Sequence, residues 1–182
     1  MIEVRFHGRG GQGAVTSAEL TAQAAISEGK YAQAFPSFGP ERRGAPLQAY
    51  LRISDEPIRL REKIYEPDVV LVLDPALVAT GNVKSGLKPG GVLIANSEKD
   101  ASLVRGECGF GGRTAVVDAT RIAEAELGVP ITNTTMLGSL LKAAGVVRLE
   151  SIKGPLERRF GRLAEKNWKA LQRAYNETKI EE

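Results

Sequence analysis

The chain is poor in the residues from which metal and redox centres are made. Among its 182 residues there is one cysteine, Cys108, and one histidine, His7. A single thiol excludes an intrachain disulfide, a cysteine-ligated iron–sulfur cluster and a cysteine-rich zinc site. With one imidazole beside it, a dedicated transition-metal site is not expected either. No apolar run approaches the length of a membrane span, and Met1-Ile2-Glu3-Val4-Arg5 lacks the apolar core of a signal peptide, so a cytoplasmic location is expected. Charge of one sign is also lacking. Lys and Arg number 25 against 22 Asp and Glu, and the basic residues are interleaved with Glu, which argues against a nucleic-acid surface. The arginines are left to face anionic ligands or acidic partner subunits.

What is present is ordinary globular material, with 42% hydrophobic and 26% charged residues. The length suits one well-buried domain over residues 1–182, and neither an internal repeat nor a long linker divides it. Ile2 to Phe6 alternates apolar and charged residues as a strand does. Ala14 to Glu28 places Val15, Ala18, Ala22, Ala25 and Ile26 on one helical face, closed by Gly29, and Tyr31 to Phe35 reads as a second strand. Leu47 to Ile53 alternates again, and Asp55-Glu56-Pro57 turns into a further short strand near Ile58 to Leu60. Those two strands are too close for a helical crossover, which predicts a β-hairpin. Val69 to Leu73, Val92 to Ala95 and Thr114 to Val117 have the continuous apolar character of buried parallel strands. Helices are predicted around Pro75 to Val83, Ala119 to Leu127, Thr134 to Ala144 and, as an amphipathic tail carrying Trp168, Pro155 to Thr178. The expected fold is α/β and three-layered. It has a mostly parallel, mixed sheet, a hairpin insertion and a Rossmann-like opening unit.

Two loops stand out. The first strand runs into Gly8-Arg9-Gly10-Gly11-Gln12-Gly13, a G-x-G-x-x-G pattern that opens a helix. Glycines there permit a tight turn and close backbone approach, while helix N–H groups and the helix dipole favour an anion. The acidic residue that would hold a ribose after the second strand is absent, since the chain reads Phe35-Pro36-Ser37-Phe38, and this disfavours NAD(P) or FAD. Another phosphate-bearing ligand remains open, as does a tight loop that only packs the first helix or meets a neighbouring subunit. The second loop is Gly39-Pro40-Glu41-Arg42-Arg43-Gly44. Adjacent guanidinium groups in a turn suit a carboxylate, a phosphate or a partner's acidic side chain, with Glu41 able to fix one of them, although composition alone slightly favours a solvated turn. If the second strand runs parallel to the first, both loops leave the same sheet edge.

The other polar residues read first as structural. His7 has no serine or carboxylate neighbour in sequence, Cys108 sits in a glycine-rich loop without an activating group, and Asp74 and Asp118 terminate strands and could line the same edge, though each is equally explained as a helix cap or turn former. Asn133, Thr134 and Thr135 read as a helix start. No nucleophile–base pair or paired carboxylate motif is evident, so the chain does not resemble a self-sufficient catalyst.

Taken together, Phe6-His7-Gly8-Arg9-Gly10-Gly11-Gln12-Gly13-Ala14-Val15, Gly29 to Pro36, Phe38 to Pro46 and Asn133 to Gly138 resemble the gamma subunits of 2-oxoacid:ferredoxin oxidoreductases, closest to the pyruvate type. The resemblance implies a role beside alpha, beta and delta subunits, with ferredoxin reached through the complex. It implies thiamine diphosphate, Mg2+ and iron–sulfur clusters held in those sister subunits, with coenzyme A as co-substrate. On that view Gly8 to Gly13 and Glu41 to Gly44 would face an interface or help to position coenzyme A.

Overall fold

The computed structural model describes residues 1–37, 43–80 and 82–182. In chain order the strands are β1 (Ile2–Arg9), β2 (Tyr31–Pro36), β3 (Pro46–Ser54), β4 (Val69–Val72), β5 (Val92–Asn96), β6 (Thr114–Val117) and β7 (Lys179–Glu181). The helices are α1 (Ala14–Ser27), α2 (Ala76–Thr80), α3 (Ala101–Cys108), α4 (Ala119–Leu127), α5 (Asn133–Ala144), α6 (Lys153–Phe160) and α7 (Ala164–Glu177). The strands form one sheet in the order β2-β3-β1-β4-β5-β6-β7. β1, β4, β5 and β6 are parallel, whereas β3 is antiparallel to β1 and to β2, and β7 is antiparallel to β6.

Strand alternation divides the core into two layers, one on each side of the sheet. Val4, Phe6, Leu71, Ile94 and Ala115 point to the side covered by α1, α4, α5 and α7. Val70, Val72, Leu93, Ala95 and Val116 point to the opposite side, which Leu77 and Val78 of α2 and Ala101 and Val104 of α3 cover. The result is the three-layer α/β architecture with a mixed sheet that the alternation implied. The strands β4, wholly apolar, and β5, apolar up to Asn96, are central and buried on both faces.

The hairpin lies elsewhere than the spacing suggested. It is formed by β2 and β3, while Ile58 to Leu60 is irregular. The reason is topological: β3 already has β1 on one side and β2 on the other, leaving no edge for a strand at 58–60. Helix α3 escapes the periodic pattern because only Ala101 and Val104 are buried in it and Gly106 interrupts it. Cys108 is therefore the last residue of a helix, half-buried, and not part of a loop. The tail is two helices and not one. Gly161, at φ 51° and ψ −120°, ends α6, and a short 3-10 turn (Gly161–Leu163) leads into α7. The strand β7 lacks any sequence signal longer than three residues.

Helices α5 and α7 form the most intimate helix pair in the molecule, and Gly138 makes this possible. A Cβ at Gly138 would strike the Leu171 carbonyl and lie 2.8 Å from the Tyr175 backbone nitrogen. In an exposed helix Gly→Ala stabilises by roughly 0.5–1 kcal/mol. Here the sign reverses. Gly138→Ala is expected to destabilise by about 1–3 kcal/mol through overpacking against backbone that cannot rotate away. Urea denaturation of the variant against wild type checks both sign and size.

Candidate functional site

Because β3 is antiparallel to both its neighbours, β2 runs in the same direction as β1, and its end lies at the same carboxyl edge. The condition for the two loops to share an edge is therefore met, with β3 between the strands. The chain returning into β3 touches the glycine loop directly. The Gly10 N–H donates to the Ala45 carbonyl at 2.9 Å, and the Gly44 N–H donates to the Gly10 carbonyl at 3.1 Å. Arg43 and Gly44 are exposed beside it. Glu41 and Arg42, the other expected members, lie outside the described residues.

The edge is also a switch point. From β1 the chain leaves through α1 to one side of the sheet, and from β4 it leaves through α2 to the other, so a crevice opens between them. Asp74, just past β4, closes the floor of that crevice. Its Oδ2 accepts from Arg9 Nε at 2.9 Å and from Gln12 Nε2 at 2.9 Å, while Oδ1 accepts from the Ala76 N–H at 2.9 Å. Gln12 completes the turn by accepting the Arg9 N–H at 2.7 Å through Oε1. Arg9 Nη1 also reaches the Gly44 carbonyl at 3.3 Å. Arg9 and Gln12 are thus struts of the loop. The amides of Arg9, Gly10 and Gln12 already have partners within the fold.

What the loop leaves free is the start of α1. Gly13 is its N-cap at φ 82°, a left-handed conformation that favours glycine, and no side chain caps the helix. Ser17 is the first residue to bond within the helix, to the Gly13 carbonyl at 2.9 Å, so the N–H groups of residues 14–16 lead it. Gly8 lies in close approach to β4, and a Cβ there would lie 3.3 Å from Leu73 Cδ1. The start of α5 meets the same point. Asn133 packs against Gly13, and Ser17 Oγ donates to the Asn133 carbonyl at 3.2 Å. A cavity of ≈ 360 Å³ lies farther along the edge, lined by Asn96, Ser97, Lys99, Asp118, Thr120 and Arg121 among others. Asn96 there is saturated: it donates to the Leu73 carbonyl and Thr120 Oγ1 and accepts from the Ala119 and Thr120 N–H groups. Asp118 caps α4 through the Arg121 N–H.

Sequence reasoning passed over a buried polar row on β1 and β3. Arg5 and His7 face the side opposite Val4 and Phe6, and Arg5 Nε donates to His7 Nε2 at 2.9 Å while its Nη2 donates to the Val83 and Ser85 carbonyls. Arg52, 1% exposed, pairs with Glu3 at 2.8 Å and lies over the Phe35 ring. Charged residues alternating along a strand normally announce a solvent face, which hid this row. His7 is structural, as expected, because its imidazole serves as the acceptor for a buried guanidinium.

This chain is matched over residues 3–177 by the family model described as pyruvate ferredoxin/flavodoxin oxidoreductase. The chain belongs to that family. It is 55% identical over 184 residues to the pyruvate/ketoisovalerate oxidoreductases common subunit gamma of Thermococcus kodakarensis, covering 100% of both chains. It is 51% identical to the pyruvate synthase subunit PorC of Methanocaldococcus jannaschii, covering 97% of each. Among solved structures it is similar to the pyruvate oxidoreductase subunit PORC of Thermotoga maritima, with a TM-score of 0.90, 42% identity, and coverage of 100% of this chain and 98% of that one. The similarity thus runs from end to end of a gamma-type subunit of an oxidoreductase complex. Among the described residues no group of three His, Cys, Asp or Glu side chains could hold a metal ion, and no helix is long and apolar enough to cross a membrane.

Burial and the neighbouring Arg5 charge push the His7 imidazole down to about 3. The unfolded imidazole protonates near its ordinary value of about 6.5. The unfolded state therefore takes up a proton that the native state refuses, and stability falls as pH drops from 6.5 towards 3, by up to about 1.4 kcal/mol per pH unit. His7→Gln keeps an acceptor for Arg5 and removes the titration. Urea midpoints at pH 6.5 and pH 5, where carboxylates stay ionised, are expected to differ for wild type and to converge for the variant.

Proposed function

We propose that the chain is the gamma subunit of a multisubunit pyruvate:ferredoxin oxidoreductase. It would support the coenzyme A-dependent oxidative decarboxylation of pyruvate to acetyl-CoA, with electrons passing to ferredoxin. The observation that carries this reading is the end-to-end similarity to subunits of that name. The residues favour a supporting part. With Cys108 as the only cysteine, the chain cannot ligate a cluster, and its histidine is buried as a hydrogen-bond acceptor. Thiamine diphosphate, Mg2+ and the iron–sulfur clusters accordingly belong to the alpha, beta and delta partners in the cytoplasm, and residues 1–182 act as one gamma domain. No step of the carbon chemistry is assigned to this chain.

Its own contribution is the carboxyl edge at Gly8 to Gly13, with Arg43 and Gly44 beside it, which faces coenzyme A or the subunit that presents it; the sequence adds Glu41 and Arg42 as candidates. The phosphates of coenzyme A suit helix N–H groups and guanidinium forks. A second reading concerns the 2-oxoacid. The Thermococcus relative is named as common to pyruvate and ketoisovalerate oxidoreductases, which favours a gamma subunit shared between two complexes over one restricted to pyruvate.

Purification of the native complex through this chain is expected to bring partner subunits and pyruvate- and coenzyme A-dependent ferredoxin reduction. Assays with 2-oxoisovalerate and 2-oxoglutarate separate the shared from the dedicated form. A native protein that purifies as a lone polypeptide without such activity contradicts the proposal. Replacing Arg42 and Arg43 together by Ala in the complex is expected to raise the KM for coenzyme A by about 10-fold or more, the size of one lost charge-assisted hydrogen bond.

A further inference from the structure

Pro57-Ile58-Arg59-Leu60-Arg61 alternates apolar and basic residues as a strand does, and it contains neither a turn nor a bend, yet it is paired with nothing. Among the described residues the backbone N–H and C=O groups of residues 58–62 make no hydrogen bond. The stretch is not a loose end. Before it, just past β3, the Glu56 N–H donates to Ser54 Oγ at 3.1 Å. Beyond it, Ile64 is buried and Arg52 Nη2 reaches the Lys63 carbonyl at 3.5 Å. Anchors on both sides thus present an unpaired segment with Leu60 exposed near its centre. The sheet of this chain cannot take it in, because β3 already has a neighbour on each side. A strand-like segment with free backbone groups finds its pairing on the sheet edge of another chain.

The segment lies at the amino edge of the sheet, opposite the glycine loop. Met1 precedes β1 there, Tyr31 opens β2 beside Ser54, and Tyr65 leads towards β4. Together with Leu60 these residues are between 41% and 68% exposed. Met1, Ser54, Ile58 and Leu60, among others, line a cleft of ≈ 460 Å³. Large apolar side chains exposed together mark an interaction surface. Charge decides the kind of partner. Arg59 and Arg61 are exposed on either side of Leu60, whereas Glu3 and Asp68 at the same edge are committed to Arg52 and Lys88. A second copy of this chain, pairing antiparallel about Leu60, would set Arg59 opposite Arg61 twice. Like charges directly opposite destabilise a strand pair, and opposite charges stabilise it.

We propose that residues 57–61 are an assembly strand, which in the oxidoreductase complex adds to an exposed sheet edge of a sister subunit whose own strand alternates apolar and acidic residues. This assignment rests on the chain's being a subunit of such a complex, and it adds the place where the subunit is held. Backbone hydrogen bonds supply the affinity. Ile58 and Leu60, two residues apart, share one face and meet the partner's apolar positions, while Arg59 and Arg61 select the acidic ones.

The test is backbone hydrogen–deuterium exchange in the complex purified through this chain, read residue by residue. Unpaired amides at 58–62 exchange as in unstructured peptide, whereas pairing with a sheet edge slows alternate amides, here by about 100-fold or more. Slow exchange in that alternating pattern is expected. Fast exchange of the whole segment in an intact, active complex overturns the inference and leaves the proposed function standing. A chain that purifies without sister subunits or activity fails both. Slow exchange found equally in a dimer of this chain alone identifies a second copy as the occupant and overturns the inference. The charge is tested by Arg59→Glu/Arg61→Glu. On dilution of the complex, followed by mass photometry, the reversal is expected to raise the apparent dissociation constant of this chain by about 10-fold or more, with the KM for coenzyme A unchanged in the complex that remains. Arg59→Lys/Arg61→Lys keeps the charge and is expected to raise it by about threefold at most. An unchanged dissociation constant for the charge reversal overturns the acidic partner strand.

Discussion

The Asp74 carboxylate is the interaction on which the carboxyl edge depends. With one oxygen it holds Arg9 and Gln12 of the glycine loop, and with the other it fixes the first turn of α2. These are the two connections that diverge to opposite faces of the sheet, so a single side chain sets the width of the crevice between them. Arg9 then passes the restraint to Gly44, and Gln12 closes the turn on the Arg9 amide. The charge of Asp74 is consumed within the fold. Asp74 is thus paired with Arg9 at the floor of the edge, beside the start of α1 and exposed Arg43.

This arrangement differs from the cradle that a dinucleotide-like glycine pattern usually builds. The usual cradle uses loop amides to meet a pyrophosphate and an acid after the second strand to meet a ribose. Here the amides of Arg9, Gly10 and Gln12 are bonded within the protein, and β2 ends at Pro36 with no acid following it. The glycines serve shape instead. Gly8 admits Leu73, and Gly13 admits Asn133 while turning the chain into α1.

Much of this was legible in the sequence, for identifiable reasons. Val69 to Leu73 and Val92 to Ala95 are apolar without a break, which only strands buried on both faces require, and both are central strands. The glycine loop was legible because its pattern sits between a strand and a helix. The parts that were hidden depend on contacts remote in sequence. Asp74 lies 65 residues from Arg9, and Asn133 lies 116 from Ser17, so Asp74 could be placed only at the edge or in a cap, and Asn133 only at a helix start, without their partners. Arg5 and Arg52 were hidden for the opposite reason: their alternation with apolar residues mimics a solvent face, while packing by other segments buries them. The strand expected at Ile58 to Leu60 failed because β-propensity says nothing about whether an edge is free.

The central proposal is that this subunit faces coenzyme A, or the subunit that presents it, along the carboxyl edge at Gly8 to Gly13. Hydrogen–deuterium exchange of the assembled complex, with and without coenzyme A, tests it at peptide resolution. Added coenzyme A is expected to protect residues 8–17, with the surfaces of α6 and β7 unchanged. Protection confined to other surfaces of this chain, or none on it at all, would contradict the account.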